Sequence, residues 1–516
     1  MSFVTAAGRR AVFAAVALVA VPLAAHPQEA TPDAATIREH VRTAAGVLPA
    51  EWRQTTVTTS SNATTTTVKH LQRGASWREE SVMPPFHTER GSENGQAWHQ
   101  NDNGQTVLDQ PDPGVATREP VTTTVTHVQK PFDAYVIATL SARGFGVKEY
   151  VDPSTWRIVR REAIAPNAIA TTTYDDVRED HGRTFAHHWS VDNGSAGVNS
   201  DVKVTAYDAG PVADADVAIA QSVRHLVRFP PGVTSVELPA TFGPQHVYVR
   251  VTINGRGLDY ILDTGAGGIT IDMQVARELG LPLHALRSAV TAQRYTTART
   301  RVPEMRIGDL VLRDVAVQAI PQGDNEGGAV KVVGLLGFDF LAELGVTIDY
   351  EHKRVTVVPG DAYAPPVVPH TTALNVRIGN GVPMTDVSIN GALAERFILD
   401  TGGVGTFLIF DYFARRYPEA LRDKGEGARS RPVHFRGIGG AFETRPYQIA
   451  ELKLGNIRFT DFIGYRVTSA GSYAGSSDGI IGDVFLRMFT LGLDYGNSRV
   501  YLVPNAAGRK AMGIRE

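Results

Sequence analysis

The sequence predicts a mainly β chain: an antiparallel β-sheet domain with a few helices, followed by two similar β-rich lobes. Three observations carry this. Runs of Thr, Val and aromatic residues, broken by Gly, Asn and Asp, recur from Trp52 to Tyr207, and such residues suit a pleated surface. The stretch Ile261-Leu262-Asp263-Thr264-Gly265-Ala266 returns almost unchanged as Ile398-Leu399-Asp400-Thr401-Gly402-Gly403. A constant offset of 145 then carries Gly334-Leu335-Leu336-Gly337 onto Gly479-Ile480-Ile481-Gly482, Asp349-Tyr350 onto Asp494-Tyr495, and Pro359 onto Pro504. Self-similarity at a fixed offset marks a duplicated unit.

Taken in order, the chain opens with Arg9-Arg10 and an apolar run, Ala11 to Ala25, of Ala, Val, Leu, Phe and one Pro. That run is short for a bilayer span and ends in small residues, so residues 1–25 read as a cleaved secretory signal with no stable membrane anchor. The expected location is exported: periplasmic or secreted. The chain has no cysteine, which excludes disulfides, thiolate catalysis and Cys-ligated metals. A net charge of −3 over 516 residues points to no nucleic-acid partner.

Residues 26–228 read as an N-terminal β-rich domain. A helix is expected over Ala34–Ala45, with Thr31 or Asp33 near its start. Strands are expected over Trp52–Val57, Thr64–Leu71, Ser76–Val82, Gly95–Gln100 and Thr106–Asp109. The Thr-rich stretch from Thr55 to Thr67 is read as paired strands rather than a linker. A helical interlude around Pro131–Arg143 comes next. Strands return at Val147–Val151, Ile158–Ala163, Ile169–Val177, Thr184–Val191 and Val202–Tyr207. His187 and His188 are adjacent on a strand, point to opposite faces and cannot easily share one ion; they read as solvated strand histidines. The Asp152-Pro153-Ser154-Thr155 turn, the Trp-Arg-Ile strand after it and the Asp180-His181-Gly182-Arg183-Thr184 hairpin resemble periplasmic lipoprotein-carrier domains. That resemblance implies a curved sheet that could take an apolar ligand. A structural domain that shields or presents the catalytic part, and a removable propeptide, stay open beside it.

Phe229-Pro230-Pro231-Gly232 reads as the boundary to the rest. Lobe one spans 236–359, a Pro-rich linker 360–372 and lobe two 373–505. In each lobe an Asn-Gly hairpin turn (Asn254-Gly255; Asn390-Gly391) leads into the strand that ends at the Asp. A short helix follows, over Asp272–Leu279 and Asp411–Arg416. Gly265 and Gly402 give the turns backbone freedom. Asp339 and Asp483 read as N-caps of short helices.

Two Asp-Thr-Gly turns, each in a hydrophobic strand and each followed by the same tail, resemble the pepsin and retropepsin superfamily of aspartic proteases. The resemblance covers about residues 236–505. It implies a two-lobed pepsin/retropepsin-like β-barrel with catalytic Asp263 and Asp400, one per lobe. Thr264, Gly265, Thr401 and Gly402 would support the turns. Two carboxylates held within hydrogen-bond distance share one proton. The implied activity is endopeptidase hydrolysis of a peptide or protein substrate by an activated water, with no cofactor and no metal. The family covers its substrate with a hairpin flap. Here Gly437, Gly439 and Gly440 are flap material in lobe two, whereas lobe one has Thr291 to Thr297 around Tyr295 and lacks the glycines. Gly403 stands where Ser, Thr or Ala is usual. One chain carries both halves, so an active monomer is expected, with 236–505 folding as one unit. The alternative function is a catalytically silent peptide- or lipid-binding carrier that works through its N-terminal domain.

Overall fold

The computed structural model describes residues 31–110, 121–141, 145–165, 168–194, 199–290, 294–322, 330–379, 381–403, 405, 407–421, 431–437, 440–467 and 477–514. The expected secretory segment, residues 1–25, lies outside them. Among the described residues no helix is long and apolar enough to cross a membrane.

The protein is mainly β. A first sheet of thirteen antiparallel strands runs between Glu51–Ser60 and Ser200–Asp208. Every strand pairs with its neighbour in the chain, except at one join. There the first and last strands meet (Arg53↔Asp208), so two meanders lie side by side. The helix Ala34–Ala45 starts where expected, with the Asp33 carboxylate accepting from the Thr36 N–H at 2.7 Å. It seats Ile37 against Ile137 and Val151 of the sheet.

Several sequence expectations need correction. The helical interlude at Pro131–Arg143 is a strand, Ala134–Ser141, paired with an unforeseen strand Val121–Val128. Phe86–Glu93, too polar to stand out, is also a strand of this sheet. His187 is buried, with its ring against Phe185 and Asp180. His188 lies between Asp175 and Asp201 and is held by both. Neither histidine is simply solvated.

The remaining strands form three sheets. Nine belong to a second sheet built almost wholly from the first repeat, and eight to a third sheet built from the second repeat. Val227–Arg228, assigned from sequence to the N-terminal domain, pairs with Leu310–Ile320 of the second sheet (Val227↔Leu312).

The fourth sheet has six strands, three from each repeat. At its centre Leu344–Asp349 pairs with Phe489–Asp494, in the register Val346↔Leu493, Thr347↔Gly492, Ile348↔Leu491. Thr347 and Gly492 are equivalent under the 145-residue offset, so the pairing is centred on a pseudo-twofold axis. Apolar residues of both repeats, Leu262 and Leu399 among them, join one continuous core. The linker is pinned at its start: Tyr363 lies against Gly345 of one repeat and Gly492 of the other.

Candidate active site

Each Asp reaches its place by the same local route. The hairpin Val247–Ile253/Arg256–Leu262 turns at Asn254 (φ 51°) and Gly255 (φ 75°) and delivers Asp263. Ala392–Asp400 does the same for Asp400 after Asn390 and Gly391. The Gly-x-x-Gly segments run parallel beside these strands, with Leu262↔Leu336 and Asp400↔Gly482 in register.

The two turns interlock across the axis. The Thr264 N–H donates to Thr401 Oγ1 at 3.1 Å, and the Thr401 N–H donates to Thr264 Oγ1 at 3.0 Å. Each hydroxyl donates across to the opposite strand, Thr264 to the Leu399 carbonyl and Thr401 to the Leu262 carbonyl, both at 2.7 Å. All four bonds are buried. In such a site they fix the turns, because losing any partner strands a desolvated polar group.

The carboxylates face each other in the same reciprocal way. A Cβ on Gly265 would stand 2.4 Å from the Asp400 carboxyl carbon, and one on Gly402 would stand 2.3 Å from that of Asp263. Only glycine leaves room for the opposing acid. Asp263 also accepts from the Gly265 N–H at 2.8 Å, and Asp400 from the Gly402 N–H at 2.9 Å.

Burial raises both carboxyls above their ordinary range. For Asp400 the Asp263 charge and their shared hydrogen bond raise it further, to well above that range. For Asp263 the same bond and the N–H groups of Gly265, Ala266 and Gly402 pull the other way. The two carboxyls therefore hold one proton between them.

At Gly403, the departure noted in the sequence, a Cβ would come within 2.8 Å of Asp400 Oδ2, whereas Ala266 holds the equivalent place beside Asp263. Asp339 and Asp483 are not N-caps. The caps are Gly337 and Gly482, and the two acids lie inside their helices. Nor are they repeat-equivalent, since the offset pairs Asp483 with Phe338. Asp483 takes the Tyr350 hydroxyl at 2.8 Å and also pairs with Arg487. In the other repeat Phe338 stacks on Tyr495 at 6.0 Å between ring centroids. The buried Tyr495 hydroxyl then has no partner among the described residues, and burial, with the Asp263 and Asp400 charges after it, pushes its proton affinity up. Burial lifts Asp483 to about 6.

One group that sequence reasoning missed is His246. Burial pushes it down to about 4, against a smaller upward influence from the Thr401 backbone. It is a neutral support behind the second turn. A His in a Pro-Gln-His hairpin carried no local signal of this.

A cavity of about 500 Å³ opens beside the first turn, between Gly265–Thr270 and Tyr295. Tyr295 thus lines the cleft, on the hairpin His284–Val290/Arg294–Ile307. Residues 291–293 of that hairpin lie outside the described residues. The second repeat has a matching hairpin, Val433–Gly437/Gly440–Leu454, with Gly437↔Gly440 in register. Its tip, Ile438-Gly439, also lies outside the described residues. Phe435 brings this hairpin against Gly405, close to the second turn.

A separate cavity of about 390 Å³ lies under the helix Ala34–Ala45 on the first sheet, lined by Trp52, Trp156, Tyr174, Phe185 and Trp189 with Arg157 and Arg183. Ligand atoms of Glu80, His87 and Glu89 lie within 4.8 Å of one another on the same sheet. Those carboxylates have cationic partners, Lys69 for Glu80 at 3.3 Å and Arg78 for Glu89.

Residues 249–340, which hold Asp263 but not Asp400, match the model of the aspartyl protease family. No curated protein matches the chain. Among solved structures, the chain is similar to a LolA superfamily protein from Nitrosomonas europaea (12% identity, TM-score 0.29, 36% of this chain and 98% of that one). It is also similar to a putative outer membrane lipoprotein-sorting protein domain from Vibrio parahaemolyticus (12%, 0.25, 34% and 90%). A DUF1329 family protein from Desulfovibrio piger is a third (9%, 0.26, 33% and 90%).

Proposed function

We propose that the chain is an exported aspartic-type endopeptidase whose catalytic pair is Asp263 and Asp400. The observation that carries the reading is reciprocity: each carboxylate lies against the other repeat's glycine, while the threonines cross-bond beneath them. The aspartyl protease match over residues 249–340 supports the same class. Asp263, ionised, takes a proton from a water. Asp400, protonated, hydrogen-bonds the scissile carbonyl and stabilises the oxygen charge that develops as that water attacks. The resemblance to pepsin and retropepsin relatives extends this to a pseudo-symmetric two-lobed enzyme that acts as a monomer without metal or cofactor.

The test is cleavage of an unbiased peptide library over a range of pH. Asp263→Asn and Asp400→Asn should each lower kcat by about 10³-fold or more, since either leaves one proton-transfer group where two are needed. Near wild-type turnover by either variant rejects the shared pair.

A second reading keeps its own support. The aromatic cavity on the first sheet suits an apolar ligand, and a carrier role for that sheet needs no turnover. A fluorescent fatty acid displaced by Trp189→Ala but indifferent to Asp263→Asn would assign a binding function to that sheet alone.

A further inference from the structure

The cavity beside Asp263 is not closed by the first repeat alone. Its outer wall is a loop of the first sheet, Asn101-Asp102-Asn103. This wall is built in. Asn103 is 1% exposed; its side-chain amide donates to the Ala316 carbonyl at 3.1 Å and accepts from the Ala316 N–H at 2.8 Å. Asn101 and Asn103 each donate to Asp339, at 2.8 and 3.1 Å. A second cavity, about 410 Å³, continues along the face of the first sheet. The two share Asn101, Asp102, Arg287 and Arg299, so the two arginines stand at the passage between them.

The arginines differ in what holds them. Arg299 is 3.1 Å from the Asp102 carboxylate and lies over the Phe86 ring at 5.8 Å. Arg287 has no hydrogen-bond or ion-pair partner within reach among the described residues. Burial and the neighbouring Arg299 charge work against its guanidinium, and Asp102 only partly offsets them. Arg299 and Asp102 cancel as charges. Asp339 is turned away into the loop, where both its oxygens accept from the asparagines. One positive charge with its full set of donors therefore remains beside the catalytic turn.

We propose that Arg287, walled by the Asn101–Asn103 loop and backed by the Arg299–Asp102 pair, is an anion-accepting subsite that selects peptide substrates carrying a carboxylate side chain. The inference rests on the endopeptidase reading. A planar guanidinium with free donors binds a carboxylate at two points, and a lysine or arginine side chain entering the same passage meets the uncancelled Arg287 charge. The first sheet thereby becomes part of the substrate cleft.

The experiment compares full-length wild type, Arg287→Ala and Arg287→Glu on end-blocked peptides that vary Glu, Gln and Lys at each position around the cleaved bond. Arg287 has no side-chain partner to lose among the described residues, and thermal melts check that each variant folds. Wild type should favour Glu over Gln by about tenfold or more at one position. Arg287→Ala should level that preference, and Arg287→Glu should turn it toward Lys. A wild type without an acid preference, or a preference that survives in Arg287→Ala, overturns the subsite and leaves the catalytic pair standing. An acid preference seen only with a free peptide C-terminus overturns the side-chain assignment in favour of the chain terminus. No cleavage, together with no binding of a statine-containing peptide, overturns the endopeptidase reading and the subsite with it.

Discussion

The proton on Asp400 sets how stability depends on pH. Its carboxyl holds that proton to higher pH in the folded protein than in the unfolded chain. From this group, stability is fully present below the ordinary carboxylate pKa and is lost as pH rises toward the folded value. Asparagine never ionises. The Tm advantage of Asp400→Asn over wild type should therefore be small near pH 4 and grow steadily through pH 7. Melting curves across that range check it, and a gap that shrinks with rising pH rejects the assignment. The pair itself was legible in the sequence, because Asp-Thr-Gly recurs in two matching strands. How burial and the turns shift each carboxyl was not, since that follows from N–H groups and a close approach that only the folded turns bring together.

At the scale of elements, the crossed threonines tie one repeat's turn to the other's strand. Thr264→Ala leaves the Leu399 carbonyl and the Thr401 N–H without their partner, at a cost of about 2–4 kcal/mol. Thr264→Ser keeps the hydroxyl and should recover most of that in a denaturant titration. Equal loss in both variants would mean that the methyl group, not the bonds, matters. Strands rich in β-branched residues were legible, as was the helix Asp411–Arg416. Ala134–Ser141 was misread because its alanines and leucine suit a helix; pairing with both neighbouring strands overrides that preference. Phe86–Glu93 was missed because its charges are satisfied across strands, Arg90 with Glu79 and Glu89 with Arg78.

At the scale of the molecule, the sequence suggested that residues 236–505 stand alone, and the structure argues otherwise. Asn101, Asn103 and Gln105 of the first sheet serve Asp339, Ala316 and Glu343 of the first repeat. Met83 and Phe86 pack on Ala285 and Ala316. Removing the first sheet exposes that apolar contact and leaves those groups without their partners. The fragment 236–505 should melt well below the full chain or fail to stay soluble, and equal Tm values would reject this. None of this docking could be read from the sequence: Asn101-Asp102-Asn103-Gly104 is ordinary hairpin-turn chemistry whether it faces water or a neighbouring sheet.

Tyr363 gives the covalent join a different meaning. The ring at the start of the linker is wedged between Gly345 and Gly492, whereas Val367, four residues on, is 97% exposed. The peptide bonds that connect the repeats are therefore the most accessible part of the connection, and the six-stranded sheet already holds the repeats together. A nick at Val367 should leave two pieces that travel together through gel filtration and still turn over substrate. Separation of the pieces would show that the tether, and not the sheet, keeps them joined. In that sense the protein is a heterodimer whose two subunits have not been cut apart.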